Sequence, residues 1–221
     1  MRIYALPFLL LALALPLAAQ APADQAAADT SYGLGMYMAE SIKNAGLDVA
    51  PQDFLAGLTD TLSGKATRLT QAQAEALIQA AVTAVQAKKA QAVLAEGQAF
   101  LDANKAKPGV KVTASGLQYE VITLGSGPLP KLTDTVTVNY EGRLIDGKVF
   151  DSSYERNEPA SFGLGQVIKG WTEGLQLMPV GSKFRFCLPA QLAYGAQGAG
   201  DDIGPNSVLV FEVELLSIDT K

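Results

Sequence analysis

Histidine is absent from the 221 residues, and cysteine occurs once, at Cys187. Without an imidazole the chain has no usual general base, no Ser-His-Asp or Cys-His constellation and no His-containing metal site. A single thiol excludes Cys-cluster zinc, iron–sulfur ligation, CxxC redox chemistry and any intrachain disulfide. Positive charge is also scarce: 17 Lys and Arg stand against 22 Asp and Glu, a net charge of −5. The basic footprint of a nucleic-acid binder is therefore missing, and no nucleic-acid partner is expected. What is present is a globular composition, 48% hydrophobic and 18% charged, with enough chain for a core of about 100 residues plus a further element.

Met1-Arg2-Ile3-Tyr4 is a short, weakly positive start, and the chain from Ala5 to Ala19 is almost wholly apolar. That run of about fifteen residues is short for a membrane span, which needs about 20, and Pro7 and Pro16 interrupt it. Ala19-Gln20-Ala21 has the small-x-small pattern of a signal-peptidase site, with Leu17-Ala18-Ala19 as a nearby alternative. Residues 1–21 are read as a cleaved secretory signal, against the competing reading of an uncleaved N-terminal anchor. No cysteine follows the run, so a lipid-modified N-terminus is excluded, and no later stretch invites a membrane span. An exported protein of the periplasm or outer cell surface is expected, without integral membrane contact.

Residues 22–107 read as an all-α segment. Residues 22–30, rich in Ala, Asp and Gln, read as a flexible start. Leu34, Met38, Ala39 and Ile42 fall at helical spacing over residues 31–43, with Gly46 as a stop. Pro51 suits the first turn of a second helix bearing Phe54, Leu55 and Leu58, which ends by Gly64. Thr70 and Gln73 form a capping box for a third, which runs to about Lys107 before Pro108-Gly109 ends it. Its middle, Gln86 to Gln91 with Lys88 and Lys89, is mostly polar, while Leu77, Ile78, Ala81, Val82 and Val85 form an apolar stripe before it. Two short helices and one end of a long one make a thin core, which a second copy of the chain would complete over residues 30–85. The competing reading is a compact bundle whose long helix breaks near Gly97.

After Pro108 the period becomes two. Leu117, Tyr119 and Val121, then Val136, Val138 and Tyr140, then Phe184, Phe186 and Leu188, then Phe211, Val213 and Leu215 alternate with polar neighbours. Such runs predict an antiparallel sheet with one wet face. Val167, Ile168, Trp171 and Leu175 mark a single short helix of about ten residues, which makes residues 108–221 an α+β domain. Gly163-Leu164-Gly165 lacks the third glycine of a dinucleotide fingerprint, and Gly64-Lys65 is followed by Ala66 where a phosphate loop needs Ser or Thr. By alternation Glu212 and Glu214 face solvent, Cys187 sits on the polar side as a bystander thiol, and Asp201-Asp202 belongs to a turn.

One linked set carries more. Val138-Asn139-Tyr140-Glu141-Gly142 is followed by Phe150-Asp151-Ser152-Ser153, Arg156, Phe162-Gly163-Leu164-Gly165 and Val167-Ile168-Lys169-Gly170-Trp171. Leu192-Ala193-Tyr194-Gly195, Ile203-Gly204-Pro205-Asn206 and Leu209-Val210-Phe211-Glu212-Val213-Glu214-Leu215 close it. In order and spacing this resembles the FKBP-type peptidyl-prolyl cis-trans isomerases over about residues 115–218. With its leader and helical N-terminal half, the chain is similar to the Mip-like group, whose members are exported and often dimeric. The resemblance implies an antiparallel sheet wrapped on one short helix, after an all-α dimerisation segment with a long connecting helix.

The reaction fits what the chain lacks. An X-Pro bond turns over unaided in tens to hundreds of seconds, against a barrier of about 18–20 kcal/mol that arises from charge-separated amide resonance. A dry aromatic pocket disfavours that charge separation and so favours the twisted amide; no proton moves, and no cofactor or metal is expected. By resemblance Trp171 is the pocket floor, with Tyr140, Phe150, Phe162, Val167, Ile168 and Phe211 as walls. The Ile168 amide and the Tyr194 hydroxyl donate to substrate carbonyls. Asp151, held with Tyr140 and Arg156, orients the bound segment, and Ile203 is the apolar loop contact. The plain alternative is that these aromatics are core, a reading kept for Phe184 and Phe186. The implied partners are unfolded polypeptides with X-Pro bonds, a second copy of the chain and macrolide inhibitors. Ala160 and Ala199 stand where family members often carry an aromatic and a histidine, which opens the rim. The alternative function is an exported folding chaperone with a vestigial isomerase pocket.

Overall fold

A computed structural model describes residues 23–219; the leader expected at residues 1–21 lies outside them. The chain forms two compact units divided between Val82 and Thr83. Helices α1 (Ala23–Ala45), α2 (Pro51–Leu62) and α3 (Gln71–Lys105) come first. Strands β1 (Val110–Val112), β2 (Gln118–Thr123), β3 (Thr135–Leu144), β4 (Val149–Ser152) and β5 (Ala160–Gly163) follow. Helix α4 (Lys169–Leu175), β6 (Lys183–Leu188) and β7 (Leu209–Asp219) complete the order.

In the first unit α1 begins well before the expected residue 31. The stretch read as flexible is helical because its polar side chains bond within the helix. Gln25 Nε2 donates to Asp29 Oδ1 at 2.9 Å, and Thr30 and Ser31 hydroxyls donate to the Ala26 and Ala27 carbonyls. Alanine, the best helix former, fills most of the remaining positions. Pro51 opens α2, and the capping box on α3 is reciprocal: the Thr70 amide donates to Gln73 Oε1 at 2.9 Å, and the Gln73 amide to Thr70 Oγ1 at 3.3 Å. Nothing in α2 is buried, and Tyr32, Tyr37 and Leu62 are 74%, 75% and 79% exposed.

The second unit is built on a seven-stranded antiparallel sheet of order β1-β2-β6-β7-β3-β4, with β5 also paired to β3. Register places Tyr119 beside Phe186, Phe186 beside Phe211, and Phe211 beside Gly142. One face of the sheet thus carries Val136, Val138, Tyr140, Phe184, Phe186, Leu188, Phe211, Val213 and Leu215, all buried, and α4 lies against it. Phe184 and Phe186 are core, at 2% and 0% exposure. The strands the alternation missed, β1, β4 and β5, have three or four residues each.

The outer face departs from the expected wet surface. The last turns of α3 lie on it, and Leu101 packs with Cys187 and Val208. Gly97 marks this approach rather than a break in the helix: a Cβ there would stand 2.8 Å from Val208 Cγ2. Asn104 Nδ2 donates to Gln118 Oε1 at 2.9 Å and to Cys187 Sγ at 3.4 Å, while Gln118 Nε2 donates to the Leu101 carbonyl at 2.8 Å. Cys187, expected on the polar side, is 2% exposed. Strand alternation was read correctly there, but a helix covers that side. Glu212 is likewise more than a solvated acid. Arg185 reaches it at 2.8 Å and Glu120 at 2.6 Å, and Lys183 stands 3.4 Å from Glu212.

Candidate active site

Trp171 occupies the first turn of α4. A Cβ at Gly170 would stand 2.4 Å from Leu188 Cδ2, and one at Gly174 2.7 Å from Phe186 Cε1. These absent side chains let α4 settle on the strands and lay the indole among three rings. Tyr140, Phe211 and Phe162 meet it edge to face, with centroids 5.0, 5.3 and 5.6 Å away. Such contacts set the positive edge of one ring against the negative face of another. Phe150 stands edge-on to Phe211 at 5.6 Å. Gly142 makes the room, since a Cβ there would lie 2.6 Å from Phe211 and 2.7 Å from Phe150.

Tyr140, Trp171 and Phe211 are buried, whereas Phe150, Phe162, Val167 and Ile168 are half-buried. The cluster is therefore open on the side that these four line. Ile168 is the residue before α4, and its carbonyl accepts from the Trp171 and Thr172 amides at 2.9 and 3.0 Å. Its own amide has no acceptor among the described residues.

At the rim the Tyr140 hydroxyl donates to Asp151 Oδ2 at 2.5 Å. Arg156 donates through Nη1 to Asp151 Oδ1 at 2.5 Å and through Nη2 to the Tyr140 oxygen at 3.0 Å. Both carboxylate oxygens are thus engaged and the carboxylate is fixed in plane. Burial pushes the Asp151 carboxyl up, but the bonds from Tyr140 and Arg156 outweigh it, and the group lies below its ordinary value. Burial, then the bond to Asp151, pushes the Tyr140 phenol up. For a depressed carboxylate, the stability it brings is complete above its unfolded value of about 3.9 and is lost as pH falls through the folded one. The triad is therefore intact and charged at neutral pH. Ser153, fully buried, anchors the strand pair beneath it: its hydroxyl accepts from the Tyr140 amide at 2.9 Å, and its amide donates to the Tyr140 carbonyl at 2.9 Å.

The loop after β6 carries the two remaining expected residues. Ile203 is 7% exposed and packs into the main core. Tyr194 is 41% exposed, and no ring contact or hydrogen bond ties it to the aromatic cluster among the described residues. Sequence reasoning gives Gly142 and Ser153, both inside the quoted motifs, no role of their own; Gly142 has a signal in its place two residues after Tyr140 on the same strand face, and Ser153 has none that alternation supplies.

A separate cavity of about 230 Å³ lies on the outer face, lined by Phe100, Asn104, Lys107, Arg143, Arg185, Cys187 and neighbours. Its arginines are paired, Arg143 with Glu141 and Arg185 with Glu120 and Glu212. Burial pushes the Cys187 thiol up to about 11, which leaves it a poor nucleophile. Among the described residues no group of three or more His, Cys, Asp or Glu side chains is placed to hold a metal.

The chain has counterparts among known proteins. Residues 127–216 match the family profile described as FKBP-type peptidyl-prolyl cis-trans isomerase, and residues 27–121 match the domain amino-terminal to it. The chain is 45% identical over 195 residues to the outer membrane protein MIP of Legionella longbeachae, covering 85% of this chain and 84% of that one. It belongs to the FKBP-type peptidyl-prolyl cis-trans isomerases. The isomerase is also 46% identical over 199 residues to the FKBP-type 22 kDa peptidyl-prolyl cis-trans isomerase of Escherichia coli, covering 88% of this chain and 97% of that one. The crystal structure of FkpA from Escherichia coli matches with a TM-score of 0.76 at 39% identity, over 90% of this chain and 97% of that one. The isomerase is thus an enzyme of the X-Pro bond, and its fold is the N-terminal helices and C-terminal α+β domain that the sequence implied.

Proposed function

We propose that the isomerase binds X-Pro segments of unfolded polypeptides over Trp171 and lowers the barrier by holding the twisted amide in an apolar, water-poor setting. The observation that carries this reading is the indole ringed by Tyr140, Phe162 and Phe211 with the Tyr140–Asp151–Arg156 triad at its rim. The proline ring sits on the indole, with Phe150, Val167, Ile168 and Phe211 as walls and Ile203 as the apolar loop contact. The unengaged Ile168 amide and the exposed Tyr194 hydroxyl donate to substrate carbonyls, and Asp151 orients the segment. Catalysis is then stronger binding of the twisted state than of either planar one. Ala160 and Ala199 make a more open rim, on which the preference for the residue before proline and the affinity for macrolides turn.

In a protease-coupled assay on an X-Pro tetrapeptide, Asp151→Ala lowers kcat/KM by about tenfold, or about 1.4 kcal/mol of transition-state stabilisation. A rate equal to the parent's overturns the role given to the triad.

The proposal extends to export and assembly. The apolar run at residues 5–19 supports a secretory signal, and the Legionella relative is by name an outer membrane protein. Among the described residues no helix is long and apolar enough to cross a membrane. The exposed Tyr32, Leu34, Tyr37, Leu55 and Leu62 of α1 and α2 support a homodimer through residues 30–85. Light scattering on the mature chain gives twice the one-chain mass at micromolar concentration; a one-chain mass overturns the dimer. The same exposed side chains favour a second reading, chaperone binding of clients. In that case Asp151→Ala suppresses aggregation of a proline-free client as well as the parent does.

A further inference from the structure

We propose that the salt bridge between Lys148 and Asp202 is a positioning device, which pins the Tyr194–Ile203 loop to the hairpin leading into Phe150 and Asp151. The inference rests on the binding role given above to that loop.

The loop is poor in restraints of its own. Gly195, Gly198 and Gly200 have φ of +61, +70 and +55°, and glycine loses more backbone freedom on ordering than any other residue. The Ala199 and Ile203 amides exchange hydrogen bonds with each other's carbonyls at 2.8 and 3.1 Å, and the Asn206 amide donates to the Gly195 carbonyl at 2.8 Å. The first two bonds join the loop only to itself, and the third, with the bond from the Gly195 amide to the Ala190 carbonyl at 2.8 Å, ties only its start to neighbouring backbone. Beyond these, its ties are the Ala199 and Ile203 side chains packed with the main core and one ion pair, Lys148 Nζ to Asp202 Oδ1 at 2.6 Å. The two residues are 54 positions apart.

Each partner is held next to a site residue. Asp202 immediately precedes Ile203. Lys148 closes the β3–β4 turn: its amide donates to Asp146 Oδ1 at 2.9 Å, and its carbonyl accepts from the Leu144 amide at 2.9 Å. Two residues further along β4 are Phe150 and then Asp151. The bond it donates to Asp202, with Asp146 nearby, raises the Lys148 ammonium above its ordinary value and holds it charged. Asp201 is in no ion pair among the described residues. Both partners are about half exposed, 52% and 58%, so the pair adds little to global stability. Its leverage is on the population of loop conformers that accept substrate, and apparent affinity scales with that population.

The test uses the full chain and a blocked, uncharged X-Pro tetrapeptide at low and high salt. Lys148→Met and Asp202→Asn each raise KM by about two- to fourfold with kcat held, the range an exposed pair supports. The double variant is no worse than either single, and the reversed pair, Lys148→Asp with Asp202→Lys, recovers most of the parental KM. High salt raises the parental KM and leaves that of the double variant where it was. Asp201→Asn matches the parent at both salts. An unchanged KM in both single variants overturns the pin, as does an equal rise in Asp201→Asn or a reversed pair no better than the singles. These KM readings decide the pin by themselves. The site reading is decided separately, since parental kcat/KM in both Asp151→Ala and Tyr194→Phe overturns it.

Discussion

Replacing Trp171 by alanine destabilises the isomerase domain by about 3–5 kcal/mol, the range for large aromatic truncations in a packed core, and lowers kcat/KM by more than the Asp151→Ala variant does. The indole is 4% exposed and is met edge-on by three rings. Its removal opens a void that Tyr140, Phe162 and Phe211 cannot all close, since each is tied to a different strand. Urea unfolding measures the first effect and the coupled assay the second. Trp171→Phe separates the two: an indole that serves only as core gives a less stable enzyme of parental kcat/KM, whereas a substrate floor gives one that is slower under conditions where it is fully folded. Unfolding of Trp171→Ala within about 1 kcal/mol of the parent contradicts the packing described here.

A chain that begins at Pro108 unfolds about 3–5 kcal/mol more easily than one that begins at Thr83, although both contain every strand. The shorter chain loses Phe100, Leu101 and Asn104. Cys187 and Val208, at 2% and 5% exposure, become solvent-facing apolar surface, and Gln118 loses both its Asn104 and Leu101 partners. Burial of one leucine accounts for about 1.5–3 kcal/mol, and each lost hydrogen bond for about 0.5–1.5. In the full-length protein, Leu101→Ala reproduces part of the loss. Equal urea midpoints and slopes for the two shortened chains contradict the assignment of the α3 tail to the isomerase domain.

Where the sequence was legible and where it was not follows from the range of the signal. Val136, Val138 and Tyr140, like Phe184, Phe186 and Leu188, repeat over enough residues for the period of two to declare a strand and its buried face. Strands β1, β4 and β5 span only three or four residues, too short for a period to show, and pairing with a longer neighbour makes them strands. Cys187 was assigned to the correct strand side, but what covers that side lies 83 positions away at Asn104. Residues 23–30 were misjudged because their polar composition was weighed above the helix propensity of alanine. The eleven expected site residues were found through family motifs. Five of the six aromatic members converge on one cluster and Tyr194 stands apart from it, while the Lys148–Asp202 pair lies beyond any motif because neither residue belongs to one.

The short outermost strands bear on how such an enzyme lives among its substrates. Unfolded chains present extended backbone with unpaired amides and carbonyls, and any long, flat sheet margin is a template for them. Here one margin is Val110–Val112, three residues with Lys111 at the centre, and beyond β3 the partners β4 and β5 have four residues each. Neither margin is long enough to zip up with a passing strand. On the proposed binding of a client's proline at the aromatic site, the sheet itself stays closed to intermolecular β-pairing, and a folding catalyst is kept from seeding the aggregates it works beside.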